Sequence, residues 1–239
     1  MPSSASCMRP HPLDHVSVRG PALGEICRRL GLPVRPTPGT RDHARVLLDR
    51  TYLELAEGSA PEVRASRLFL GFQDASEALA ALHARGLAGA RLEPYRGHDG
   101  VWEDVSLGHP EAALVTLVHR VEPADLARDW PPALVQVPAS GVRGLAAVTL
   151  TTPDVPHALE LFRALCGESR VSAQGVVELG VGRLLIEEGP ERNIRRLVLA
   201  TADLEHTRRF LAEQGLSVDG ALRIHGLPGP LEWALFPAS

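Results

Sequence analysis

The chain has 239 residues, of which 44% are hydrophobic and 23% charged, ordinary proportions for a globular protein that buries a sizeable core. Its net charge of −4 gives no electrostatic reason to expect nucleic acid or an anionic membrane surface as partner. No apolar run reaches the roughly 20 residues that span a bilayer. All 25 basic residues are arginine, so Schiff-base chemistry, pyridoxal-phosphate attachment and a P-loop, each of which needs a lysine amine, are excluded. Met1 to Pro12 lacks the basic-then-apolar pattern of a signal peptide, and Cys7, Cys27 and Cys166 have no CxxC spacing. A reducing, cytoplasmic setting is the expectation.

In chain order, Leu13–Val18 alternates as a strand, and Pro21 then opens an apolar stretch (Leu23, Ile26, Cys27, Leu30) that Gly31 closes. Ala44–Leu48 and Tyr52–Leu55 follow as two strands about the turn-like Asp49-Arg50. The unit then recurs. Arg67–Phe72 reads as a strand, Asp74 caps a helix with Glu77 three residues on, and Gly86 stops it. Val101–Leu107 and Ala113–His119 complete that unit. A third unit begins at Leu145–Leu150, with Asp154 before a helix that Gly167 ends, then Gly175–Leu179 and Arg183–Glu187. A fourth has Arg196–Ala200, a helix from the Asp203 cap to Gly215, then Ala221–Ile224 and Leu231–Phe236. Pro123, Pro131, Pro132 and Pro138 mark a proline-rich linker. The organisation expected is a first half over residues 1–120, a linker over 121–143 and a second half over 144–239. Helices are expected near 21–30, 74–85, 154–166 and 203–214.

Four such units in two pairs resemble the plan of the vicinal-oxygen-chelate superfamily, in particular its glyoxalase-like (Glyoxalase_3-type) domains. The stretches that carry the resemblance are Leu13-Asp14-His15-Val16, Asp42-His43, Tyr52-Leu53-Glu54-Leu55 and Gly144-Leu145-Ala146-Ala147-Val148-Thr149. The fold this implies is α+β: tandem βαβββ repeats whose antiparallel-rich sheets curve into cups, with helices on the outer face. It also implies a divalent metal (Zn, Fe, Mn or Ni) on a cup floor, held by a His of a first strand and a Glu of a last strand. His15 and Glu54 match those positions. Strand alternation supports the match, because it puts Leu13, His15 and Ser17 on one face and aligns Tyr52 with Glu54.

His43, at the start of its strand, is a candidate third ligand or, with Glu54, a candidate acid/base. Aligning helix starts puts Leu68 where the second unit of metal-dependent members has a His, and His119 near their Glu, so His119 is a further ligand candidate. Arg45, Tyr52 and Trp102 are the expected substrate-side residues. In the second half Ala147 and Leu185 stand for His15 and Glu54, so that half is read as degenerate. Gly180-Val181-Gly182 precedes a strand and is no dinucleotide fingerprint. Cys27 and Cys166 read as small core residues. Two functions stay open: a metal-dependent isomerase, lyase or dioxygenase acting on a small oxygen-bearing substrate, or a non-catalytic small-molecule binder of the same fold. Either fits a monomer or homodimer with no nucleic-acid or membrane partner.

Overall fold

The structure, a computed structural model, describes residues 13–37, 40–48, 51–58, 60–72, 74–97, 100–120 and 138–238. The first unit runs β1 (Leu13–Gly20), α1 (Leu23–Arg29), β2 (Val34–Pro36), β3 (His43–Leu48), β4 (Thr51–Glu57). The second runs β5 (Arg64–Gly71), α2 (Ala75–Ala84), β6 (Arg91–Gly97), β7 (Gly100–Ser106), β8 (Val115–Arg120). The third, β9 (Val142–Thr152), α3 (Val155–Cys166), β10 (Val176–Glu178), β11 (Arg183–Glu188), has one strand fewer after its helix. The fourth is β12 (Asn193–Thr201), α4 (Leu204–Glu213), β13 (Ser217–Val218), β14 (Arg223–His225), β15 (Glu232–Pro237). Of the proline-rich stretch, residues 121–137 lie outside the described residues, and Val142 and Arg143 already belong to β9.

Each helix lies where the sequence pattern sets it. Asp74, Asp154 and Asp203 each accept the backbone N–H three residues on, at 2.8, 3.1 and 2.9 Å, meeting one of the orphan donors of the first turn. The helix α3 turns Leu159, Phe162, Leu165 and Cys166 inward at helical spacing. Cys27 and Cys166 are buried free thiols, both pushed up to about 12, chiefly by burial. That makes them inert core residues, as the sequence suggests. No helix among the described residues is long and apolar enough to cross a membrane.

The strands form one 15-stranded sheet. Within each unit the first strand pairs in parallel with the last, and the first strands of paired units meet antiparallel: β1 with β5, β9 with β12. A bridge between Ile194 of β12 and Ala65 of β5 joins the two pairs. The apolar rows of both pairs merge with the helices into one buried cluster. A separate small cluster of Ala147, Val198 and Ala234, flanked by Ala146 and Leu185, covers the concave face of the second half.

The halves are locked together by more than apolar contact. Arg29, at the end of α1, donates to the carbonyls of Gln214, Gly215 and Gly226, at 3.1–3.3 Å. Arg85, at the end of α2, donates to Ala164 and Leu165 at 2.7 and 3.3 Å. In each case an arginine from the first half serves the unpaired carbonyls at a helix end of the second, where cations are favoured. Gly31 ends α1 at φ 68°, and a Cβ there would come within 2.8 Å of the Phe210 ring on α4, so glycine is required both by the turn and by the docking. Between the halves Glu111, 7% exposed, accepts from the Thr152 hydroxyl at 2.6 Å and is paired with the Arg192 guanidinium.

Candidate functional site

The first cup is built on β1, β4 and β5. His15 stands opposite Tyr52 and Ser17 opposite Glu54 on β4, while on β5 His15 faces Phe69 and Ser17 faces Arg67. The His15 ring is clamped between those of Tyr52 and Phe69, with centroids 4.3 and 3.9 Å away and planes within 15°. It is 5% exposed. The ladder to β5 slips between Leu13 and His15, and a bulge of this kind re-aims side chains. Two consequences follow. The Asp14 carboxylate reaches Nδ1 of His15 at 2.7 Å, fixing the proton on that nitrogen and leaving the Nε2 lone pair at the far end of the ring. Leu13, expected on the His15 face, instead joins the main core with Val16 and Val18. Beside the imidazole, the Ser17 hydroxyl donates to Oε2 of Glu54 at 2.6 Å, holding a half-buried carboxylate in one orientation.

The other sequence candidates fall at graded distances from this pair. Arg45 is directly across from Glu54, and its guanidinium lies 5.5 Å from the centre of the Tyr52 ring, a cation–π contact. Tyr52 is a buried wall of the cup. His43 lies two residues before Arg45, at the exposed start of β3 opposite Ala56. His119 pairs with Glu103 in the backbone register, and its side chain lies outside the described residues; Thr116 occupies the cup row, across from Phe69. Trp102, half-buried on β7, shares its strand face with Asp104 and Ser106.

The antiparallel register also corrects the alignment of the two units. Val16 pairs with Leu68, so a local two-fold axis through that pair carries His15 onto Arg67 and Ser17 onto Phe69. The same operation carries Glu54, opposite Ser17, onto Thr116, opposite Phe69. Leu68, which the helix starts align with His15, is fully buried in the core; Arg67, one residue earlier, holds the cup position and is exposed. The four positions converging in the first cup are therefore His15, Glu54, Arg67 and Thr116. In the second cup the register β9–β12 and its neighbours gives Ala147, Leu185, Arg196 and Ala234.

Asp104, which strand alternation alone does not single out, belongs to the same cup. Burial raises its pKa from the ordinary value, Arg67 and a protonated His15 oppose this, and Glu93 and Glu54 add to it. Two strands, β8 and β5, separate β7 from β1 along the ladder, so only a curved sheet brings these groups together. Because the fold holds this proton more tightly than the unfolded chain does, its stabilising contribution is present below the unfolded pKa and lost as pH rises through the folded one. Asp104→Asn is therefore expected to raise Tm at pH 7, on the order of 2 °C for a half-buried group in a chain of this size. The gap should close on acidification. A lower Tm for the variant at pH 7, read by circular dichroism, would contradict the assignment.

A narrow cleft between the halves, lined by Glu111, Leu150, Phe162, Ile186 and Arg192 among others, lies apart from this cup. Its charged groups already satisfy each other, so it offers a ligand no free polar anchor. Among the described residues no group of three or more His, Cys, Asp or Glu side chains is placed to hold a metal ion.

No protein-family model and no curated protein sequence matches the chain. Solved structures do. A 2,3-dioxygenase, LapB from Pseudomonas sp. KL28, is 15% identical with TM-score 0.67, over 97% of this chain and 93% of that one. The Mn(II)-bound glyoxalase from Novosphingobium aromaticivorans is 14% identical with TM-score 0.66, over 96% and 83%. Homoprotocatechuate 2,3-dioxygenase from Arthrobacter globiformis is 14% identical with TM-score 0.62, over 98% and 83%. At such identities the likeness carries the architecture alone: four strand–helix–strand units in two pairs, the fold of the glyoxalases and dioxygenases of vicinal-oxygen-chelate type.

Proposed function

We propose that the first cup is a small-molecule site for an oxygen-bearing compound, and that the second cup has no such role. The observation that carries this is the fixed polar pair on the first floor, Glu54 held by Ser17 and His15 clamped by two rings. The corresponding second floor carries Ala147 and Leu185 in an apolar cluster. Glu54 and the Nε2 of His15 are acceptors for a ligand hydroxyl. That set suits proton transfer of the isomerase or lyase kind as well as simple binding.

A divalent metal is what the fold would bring. His15 Nε2 and the second oxygen of Glu54 are two suitable donors for Zn, Fe, Mn or Ni, but catalytic metal sites typically take three protein ligands. The partner unit offers Arg67 and Thr116 instead, and a guanidinium has no lone pair to give and repels a cation. These residues do not fit the group, and the mechanism proposed here has no metal-dependent step. A second reading, a metal-dependent enzyme, draws its support from the Mn(II)-bound glyoxalase among the structural neighbours. The two separate in one titration. The full chain, purified without a His tag and dialysed against EDTA, is expected to show no stoichiometric uptake of Mn(II) or Zn(II) by calorimetry. One equivalent bound, and lost in Glu54→Gln, would establish the metal-dependent reading instead.

A further inference from the structure

We propose that Arg67 takes the place of the metal in the first cup, making it a site for a small anion with a hydroxyl beside its carboxylate, such as a 2-hydroxy acid. This rests on the first cup being the small-molecule site. The local two-fold that relates the units puts Arg67 where a second ligand to a metal would stand, in the strand row that carries His15 and Glu54. The groups around that centre then divide by chemistry. Glu54 and the Nε2 of His15 are acceptors, and Arg67 and the Thr116 hydroxyl are donors. A carboxylate suits the guanidinium, which presents paired N–H groups in a fixed plane, while a hydroxyl on the neighbouring carbon donates to Glu54 or His15. Adjacent oxygens are thus read as a pair, with a guanidinium supplying the positive charge.

The second cup provides an internal control. Arg196 holds the position equivalent to Arg67, and there the guanidinium is neutralised: its Nε donates to Glu232 at 2.8 Å, with Glu187 at 3.7 Å. Arg67 has no hydrogen bond or ion pair of this kind among the described residues. Across the ladder from it, beside the Leu68–Val115 pair, the chain carries Leu114 where the second half carries Glu232. One arginine is therefore consumed by structure, and the other is left facing a cup with its charge uncompensated by a direct partner. The Asp104 charge interacts with Arg67, but among the described residues no hydrogen bond or ion pair joins the two.

The test uses the full EDTA-dialysed chain and three probes of one skeleton: mandelate, phenylacetate and 1-phenyl-1,2-ethanediol, titrated by calorimetry at pH 7. Mandelate is expected to bind about tenfold or more tightly than either probe lacking one of its groups, a difference of about 1.4 kcal/mol. Arg67→Leu, at an exposed position, should reduce mandelate affinity by about the same factor and leave the diol unchanged; Arg67→Lys should keep part of it. Mandelate binding that is unaltered in Arg67→Leu overturns the inference, as does a diol that binds as tightly as mandelate, and both leave the first cup standing as a small-molecule site. If none of the three probes binds, that site assignment fails as well.

Discussion

Glu111→Ala is expected to be among the most destabilising single changes in this chain. Glu111 lies in a short 3-10 turn after β7, its carboxylate buried between the halves, with one oxygen on the Thr152 hydroxyl and the other on Arg192. Truncation removes both charge-assisted bonds and leaves a Thr152 hydroxyl, itself 3% exposed, without its acceptor. Breaking a buried pair and orphaning a polar group together cost about 2–4 kcal/mol. In a chain of this length that is a fall in Tm of roughly 5–12 °C. The pH dependence follows from the same contacts. Burial alone would raise the Glu111 pKa, but the hydrogen bonds from Arg192 and Thr152 outweigh it and the net shift is downward. A carboxylate lowered in the fold contributes its full stability above the unfolded value, about 4.3, and loses it as pH falls through the lower folded value. The deficit of the variant should therefore be complete at pH 7 and shrink on acidification below about pH 4. Equal Tm values at pH 7 would show that the pair is not what ties the halves.

The site was only partly legible in the sequence, and the reason is one of register. The four helices, the aspartate caps of three of them and their stop glycines are local signals, set by neighbours within one turn, and they fall where the chain pattern puts them. The strands β2, β6 and β13 are harder: Pro36 and Pro94 interrupt the pattern in two of them, and β13 has two residues. Glu54 is visible because it stands between Leu53 and Leu55 on a single strand, and His15 because it shares a strand with the apolar Val16 and Val18 of the opposite face. Their partners are not, because those depend on which residue of one strand meets which residue of another. A one-residue slip exchanges the two faces of a strand, and that is the difference between Leu68 in the core and Arg67 in the cup. Register likewise sets the cup row of β8, which passes through Thr116. Asp104 could have been found, since it is two residues from Trp102 on a strand already assigned to the cup; its significance depends on sheet curvature, which no local pattern reports.

The remaining prediction bears on the division of labour between the cups. Leu185→Ala shortens a half-buried side chain in the small apolar cluster of the second cup. A fully buried leucine would cost 2–5 kcal/mol; at this exposure about 1–2 kcal/mol is expected. Glu54→Ala removes one acceptor from Ser17 and should cost about 1 kcal/mol or less in stability, because a preorganised functional carboxylate contributes to binding more than to folding.

The most direct measurement compares ligand affinity per folded molecule in these two variants with the unsubstituted chain, using whichever of mandelate and 1-phenyl-1,2-ethanediol binds that chain more tightly. Glu54→Ala is expected to weaken binding about tenfold or more, and Leu185→Ala to leave it within about threefold despite its lower Tm. Binding retained in Glu54→Ala and abolished in Leu185→Ala would put the functional site in the second cup and contradict the account.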